Sequence, residues 1–362
     1  MLITSIQELR LASPAHALDS IDGLVGFIDN SEHDFLEDKL GTPLYTALCQ
    51  WYDQNPFTRS TIADYQTGYW NRLLLLAQRV VAFDALGRAI GMQAISVNNA
   101  GINQMVADDY PAPDKNGKTV DRYVDTCNKE AHTTLNLMLR QLEQWCKDPA
   151  ANADSVSDGF PVGNGPFAEK AEITALWRHS RYYYLAASLL IPSCETLQSY
   201  LNIYDSREKF IQMLPDLQFI QEEQIATSVG EDLMKTLIAF STNGTKPDGV
   251  EEALLLTVLH RLRKVVAALL AGRTAVLKHT KEQKVQFHDD GVRMFETAIS
   301  YLRAHQQDFP EELVKNAPWY VAPVTVSPAD STENEIENKS SRPSCCCHTA
   351  TKTAACWTPP LL

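Results

Sequence analysis

Apolar residues recur along this chain at helical spacing, and the pattern is written twice. Residues 36–48 read LEDKLGTPLYTAL and residues 225–237 read IATSVGEDLMKTL, so that Leu36, Leu40, Gly41, Leu44 and Leu48 fall at the spacing of Ile225, Val229, Gly230, Leu233 and Leu237. In both places an amphipathic stretch runs into a glycine that stops it, and a new helix follows. Thr42 is placed to cap the new helix in the first case, with Pro43 at its first position. Glu231 and Asp232 suit the positive start of the second.

A long apolar helix comes next in each copy. Leu74, Ala77, Val81 and Ala85 keep one stripe, and Leu255, Val258, Leu262 and Val266 keep the same stripe 181 positions later. Each helix leads to a short patch, AISV at 94–97 and TAVL at 274–277, which predicts a small strand or turn. A closing helix follows, with Leu135, Met138, Leu139 and Leu142 matching Phe295, Ala298, Ile299 and Leu302, and ends before Pro149 or Pro310.

The pattern predicts an all-α protein of two tandem helical units with little sheet: a first unit over 1–148, a loop and linking helix over 149–190, a second unit over 191–310, and over 311–362 an extended segment followed, after Pro323, by a disordered Cys-rich tail. The expected cores are Leu40, Leu44, Leu74, Val81, Leu135 and Leu139 in one unit and Val229, Leu233, Leu255, Leu262, Phe295 and Ile299 in the other. Trp177, Tyr182, Tyr183 and Tyr184, interleaved with Arg178, His179 and Arg181, suit a buried seam between units better than a base-stacking site, because on a helix they spread round the whole circumference.

Charge narrows the function. The chain has 45 acidic and 32 basic residues, a formal charge of -13, which argues against a dedicated nucleic-acid binder. The most apolar runs, 73–90 and 253–271, are each interrupted by charges, which excludes a membrane span. The N-terminus lacks the pattern of a secretory signal, and four isolated cysteines with four more in the last 20 residues do not make a disulfide framework, so a cytoplasmic protein with reduced thiols is expected.

Chemistry-bearing motifs are sparse. Cys345, Cys346, Cys347, His348 and Cys356 have zinc-ligand chemistry, but three adjacent cysteines do not converge on one ion as a spaced pair does. The histidines and acid pairs form no recognisable catalytic arrangement and no phosphate loop is present, so neither a cofactor nor an enzymatic activity is expected. Segregated charge is more informative. The stretch 19–38 is acidic, with Asp29, Glu32, Asp34 and Glu37, whereas 261–284 is basic, with Arg261, Arg263, Lys264, Arg273 and Lys278. Opposite faces of this kind suit contact between neighbouring copies, including closure into a ring.

Ser206–Arg207, Phe210, Leu214–Pro215, Glu222–Glu223 and Val229–Gly230 together resemble a motif of an uncharacterised protein family encoded by Bacteroides-type bacteria and their prophages. The opening, ITSIQEL followed by Leu40–Gly41–Thr42–Pro43–Leu44, is similar to small helical head–tail connector proteins of tailed phages. These resemblances imply a non-enzymatic structural or adaptor protein that assembles with itself or with other virion proteins. A bacterial interaction protein without a viral role is the alternative, ahead of an enzyme with an unrecognised site.

Overall fold

The computed structural model describes residues 1–13, 19–55, 61–65, 68–93, 95–98, 101–104, 118–147, 166–185 and 188–322. These residues are overwhelmingly helical, with one antiparallel hairpin, β1 (Ile95–Asn98) and β2 (Gly101–Gln104), in which Ile95 faces Gln104. The first core is built on α1 (Ile6–Ala12), α2 (Val25–Asn30), α3 (Asp38–Leu40), α4 (Thr42–Gln54), α5 (Tyr69–Gln93), α6 (Lys118–Lys147) and α7 (Pro166–Trp177). The second is built on α8 (Cys194–Gln198), α9 (Arg207–Phe219), α10 (Thr227–Val229), α11 (Glu231–Asn243), α12 (Glu252–Arg273), α13 (Lys281–Ala304) and α14 (Glu311–Val314).

Several local features of the first set recur in the second. Ser5 caps α1 by accepting from the Glu8 N–H, and Ser193 caps α8 by accepting from the Thr196 N–H. Between α2 and α3, Ser31–Glu37 winds as a π-helix; between α9 and α10, Ile220–Ala226 does the same. In each π segment a buried polar side chain accepts a backbone N–H from the start of its unit. Glu32 Oε1 accepts from Leu2 N at 2.6 Å, and Gln221 Oε1 accepts from Leu190 N at 2.7 Å.

Gly41 and Gly230 then turn the chain with φ 80° and 98°, conformations that a side chain rarely adopts. A Cβ on Gly41 would stand 3.0 Å from Ser180 Cα, and one on Gly230 would stand 2.9 Å from Ala317 Cβ. The covering segments match as well: Ser180 N–H donates to Trp177 O and Tyr183 N–H to Ser180 O, while Ala317 N–H donates to Val314 O and Tyr320 N–H to Ala317 O. Thr42 does not cap α4; it is already helical and donates its hydroxyl to Glu37, because Gly41 itself makes the turn.

Several expectations need correction. The expected linking segment holds α7, whose Ile173 and Trp177 sit in the first core, and the segment expected to be extended beyond 310 opens with α14 and holds Val314, Ala317 and Trp319, which close the second core. The long helices correspond at 185 positions rather than 181: Gln78 and Arg263 each reach the carbonyl of their unit's opening leucine, and Gly87 and Gly272 each lie under the closing helix. The first apolar patch yields β1, whereas the second is a turn, since Thr274 ends α12 and Thr280 already caps α13.

Of the expected core, Phe295 and Ile299 are only half-buried. The buried face of α13 is Gly291, Ala298 and Leu302, turned toward α12. Gly291 lets the two helices close in, its absent Cβ leaving room for Leu269. Among the described residues no helix is long and apolar enough to cross a membrane.

Candidate functional site

The charged stretches do not form two open faces. Asp29 and Glu37 both contact His33, at 3.7 and 2.8 Å, and Asp34 pairs with Arg88 at 3.2 Å. Glu32 is buried, accepting from Leu2 N and the Tyr45 hydroxyl, so it is not available to a partner. On the basic side Arg261 stacks on the Tyr301 ring at 4.3 Å, and Arg273 pairs with Asp216 while lying over Phe219. Arg263 turns inward. Lys264 and Lys278 are exposed. The reason is common to these side chains: helical periodicity places a charge on a face, but partners remote in sequence decide whether that face meets water. Cys345, Cys346, Cys347, His348 and Cys356 lie outside the described residues, and among the described residues no group of side chains is arranged to hold a metal ion.

A buried polar network lies where the two cores meet. Arg207, at the first position of α9 and fully buried, donates from Nε to Glu143 Oε2 at 3.1 Å and from Nη1 to the Asp205 carbonyl at 3.0 Å, and lies 3.4 Å from Glu195. Glu143, on α6 and equally buried, also accepts from the Tyr184 hydroxyl at 2.6 Å and from Lys147 at 2.5 Å. Asn136 tightens the join, donating to Asp205 O and accepting from Arg207 N. Burial, followed by the negative charge of Glu143, pushes the Tyr184 hydroxyl far above the ordinary phenol range, so it stays a donor.

A cavity of about 700 Å³ opens beside this network. Lys147 and Tyr183 come to it from the first core, and Thr196, Tyr200, Ser241 and Arg263 from the second. Arg263 donates from Nε to Leu190 O at 2.8 Å and from Nη2 to Ser241 Oγ at 2.7 Å. Among the described residues no carboxylate pairs with it, and burial holds its guanidinium below the ordinary value. Cys146 also lines the cavity, but burial raises its thiol to about 11, so at neutral pH it is protonated and not an activated nucleophile. The chemistry on offer is recognition by hydroxyls, two aromatic rings and the cations of Arg263 and Lys147, with the Glu195 carboxylate also in the lining.

Only part of this was visible in the sequence. The aromatic run 182–184 does lie at the seam, with Tyr182 in the first core and Tyr184 in the second. Glu143 and Lys147 look like an ordinary pair one helical turn apart, and nothing local marks Arg263 as the inward member of a basic run.

A profile for a family of unknown function, DUF6712, matches residues 36–150, from the first π-helix to the end of α6. No curated protein and no solved structure matches the chain.

Proposed function

We propose that the chain is a non-enzymatic structural or adaptor protein, of the head–tail connector kind in a prophage particle, and that it is a duplicated helical module assembling head to tail. The observation supporting this reading is the contrast between α6 and α13. One flank of α6 docks the second core through His132, which meets Glu208 at 2.7 Å, and through Asn136. On α13, Val292 holds the place of His132 and is exposed, as are Val285 and Met294. Within the chain the helix of the second core that α6 meets is α9, the helix that leads into a π segment. Its counterpart is α2, which exposes Val25 and carries the acidic stretch at its end. Repeating the internal contact between chains therefore sets α13 of one copy against α2 of the next. A contact of this heterologous kind closes into a ring when its rotation allows.

Light scattering across protein concentration tests the reading. Exposed ion pairs contribute about 0–1 kcal/mol each, so salt should weaken assembly without abolishing it. Val292→Glu, or Val25→Glu on the facing surface, should each shift the population to monomer. A wild-type chain that stays monomeric at every salt and protein concentration would sink the proposal.

A further inference from the structure

The seam cavity has a counterpart in the first unit that is filled by the protein's own side chains. Ser5 and Ser193 cap equivalent helices, so Glu8 and Thr196, three residues on, occupy the same place. Tyr52 and Ser241 are both the eleventh residue of the 13-residue helix after the turning glycine. Gln78 and Arg263 both donate to the carbonyl of the opening leucine. Thr196, Ser241 and Arg263 all line the cavity.

In the first unit the three places hold a closed set of groups. The Glu8 carboxylate is buried and accepts from the Tyr52 hydroxyl at 2.8 Å, from Thr4 N at 3.0 Å and from Ser5 N at 3.2 Å, with Gln78 Nε2 at 3.5 Å. Tyr65 seals it, donating to Gln78. In the second unit the carboxylate has become a threonine and the phenol ring a serine, which together empty the space, and the neutral amide has become a guanidinium. A cation has appeared where an anion has been removed. Arg263 is half-buried with no carboxylate partner among the described residues, and it lines a space large enough for a ligand.

We propose that this cavity binds a small organic carboxylate with a ring-sized apolar body, the carboxylate taking the place of Glu8 against Arg263 and the body taking the place of the Tyr52 ring. Tyr183, Tyr200, Leu185 and Pro192 supply the walls for that body. Lys147 adds positive charge at the rim, although Glu143 and Glu195 share it. A planar guanidinium suits a planar carboxylate through paired, charge-assisted hydrogen bonds. The inference rests on the correspondence of the two units and not on how copies assemble.

The test is calorimetry and saturation-transfer NMR on the full chain with benzoate, set beside acetate, benzyl alcohol and inorganic phosphate. Benzoate should bind more tightly than the other three, because only it has both charge and ring. Arg263→Gln copies the Gln78 arrangement and keeps a donor for the Leu190 carbonyl; it should weaken benzoate by about tenfold or more, the usual consequence of losing a charged hydrogen bond. Ser241→Tyr copies Tyr52, refills the cavity and should abolish binding. Circular dichroism of both variants reports whether the fold is retained, and either variant alone suffices. The proposal is overturned if wild type fails to bind benzoate at millimolar concentration, if benzyl alcohol or phosphate binds as well as benzoate, or if a folded variant binds benzoate like wild type.

Discussion

Removing Arg207 should expose how much the contact between the two cores depends on one charge pair. Both Arg207 and Glu143 are essentially without solvent contact, at 0% and 1% exposure. Arg207→Ala deletes the 3.1 Å bond to Glu143 and the bond to the Asp205 carbonyl, leaving a buried carboxylate with Tyr184 and with Lys147, which is 44% exposed. Breaking a buried pair from one side costs about 3–5 kcal/mol, and the two surviving donors place this case near the lower end. Replacing both partners, Glu143→Leu with Arg207→Met, removes the stranded charge and should cost well below the sum of the single changes, a coupling of about 1 kcal/mol or more. Urea unfolding followed by circular dichroism measures this through the midpoint at unchanged slope. A loss under about 1 kcal/mol, or strict additivity in the double variant, would show that apolar contact and not this pair joins the cores.

Two further outcomes follow from the geometry. Gly41→Ala and Gly230→Ala should each destabilise the fold by about 1–3 kcal/mol or more, because the positive φ is strained for alanine and the new Cβ meets Ser180 or Ala317; denaturant melts at the wild-type level for both would contradict the tight approach. The hydrogen bond to Glu208 raises the pKa of His132 above its ordinary value against the opposing effect of burial, so its contribution is fully present below pH 6.5 and is lost as pH rises through the higher folded value; NMR titration should place the midpoint above 6.5 and return it toward 6.5 in Glu208→Gln.

What the amino-acid sequence determined is what depends on neighbours within a few turns. Apolar spacing marked the long helices, Gly41 and Gly230 marked the stops, and Leu74, Leu135, Leu233 and Leu255 are all fully buried or nearly so. The same locality explains the error of register between α5 and α12. A slip from 185 to 181 is four residues, about one helical turn, which leaves every apolar residue on the same face and so cannot be detected from periodicity. The fate of charged side chains was equally hidden. Glu32 and Arg263 read as members of surface runs, but the backbone groups that receive them, Leu2 N and Leu190 O, lie 30 and 73 residues away, and only the closed chain brings them together. The cavity is the clearest case. Replacing Glu8, Tyr52 and Gln78 by Thr196, Ser241 and Arg263 changes none of the helical pattern, because each is a polar or amphipathic residue on a helix that forms either way. Whether those three places hold a packed cluster or an open space lined by a guanidinium is decided by side-chain volume at the meeting of three helices, a quantity that exists only in the tertiary structure.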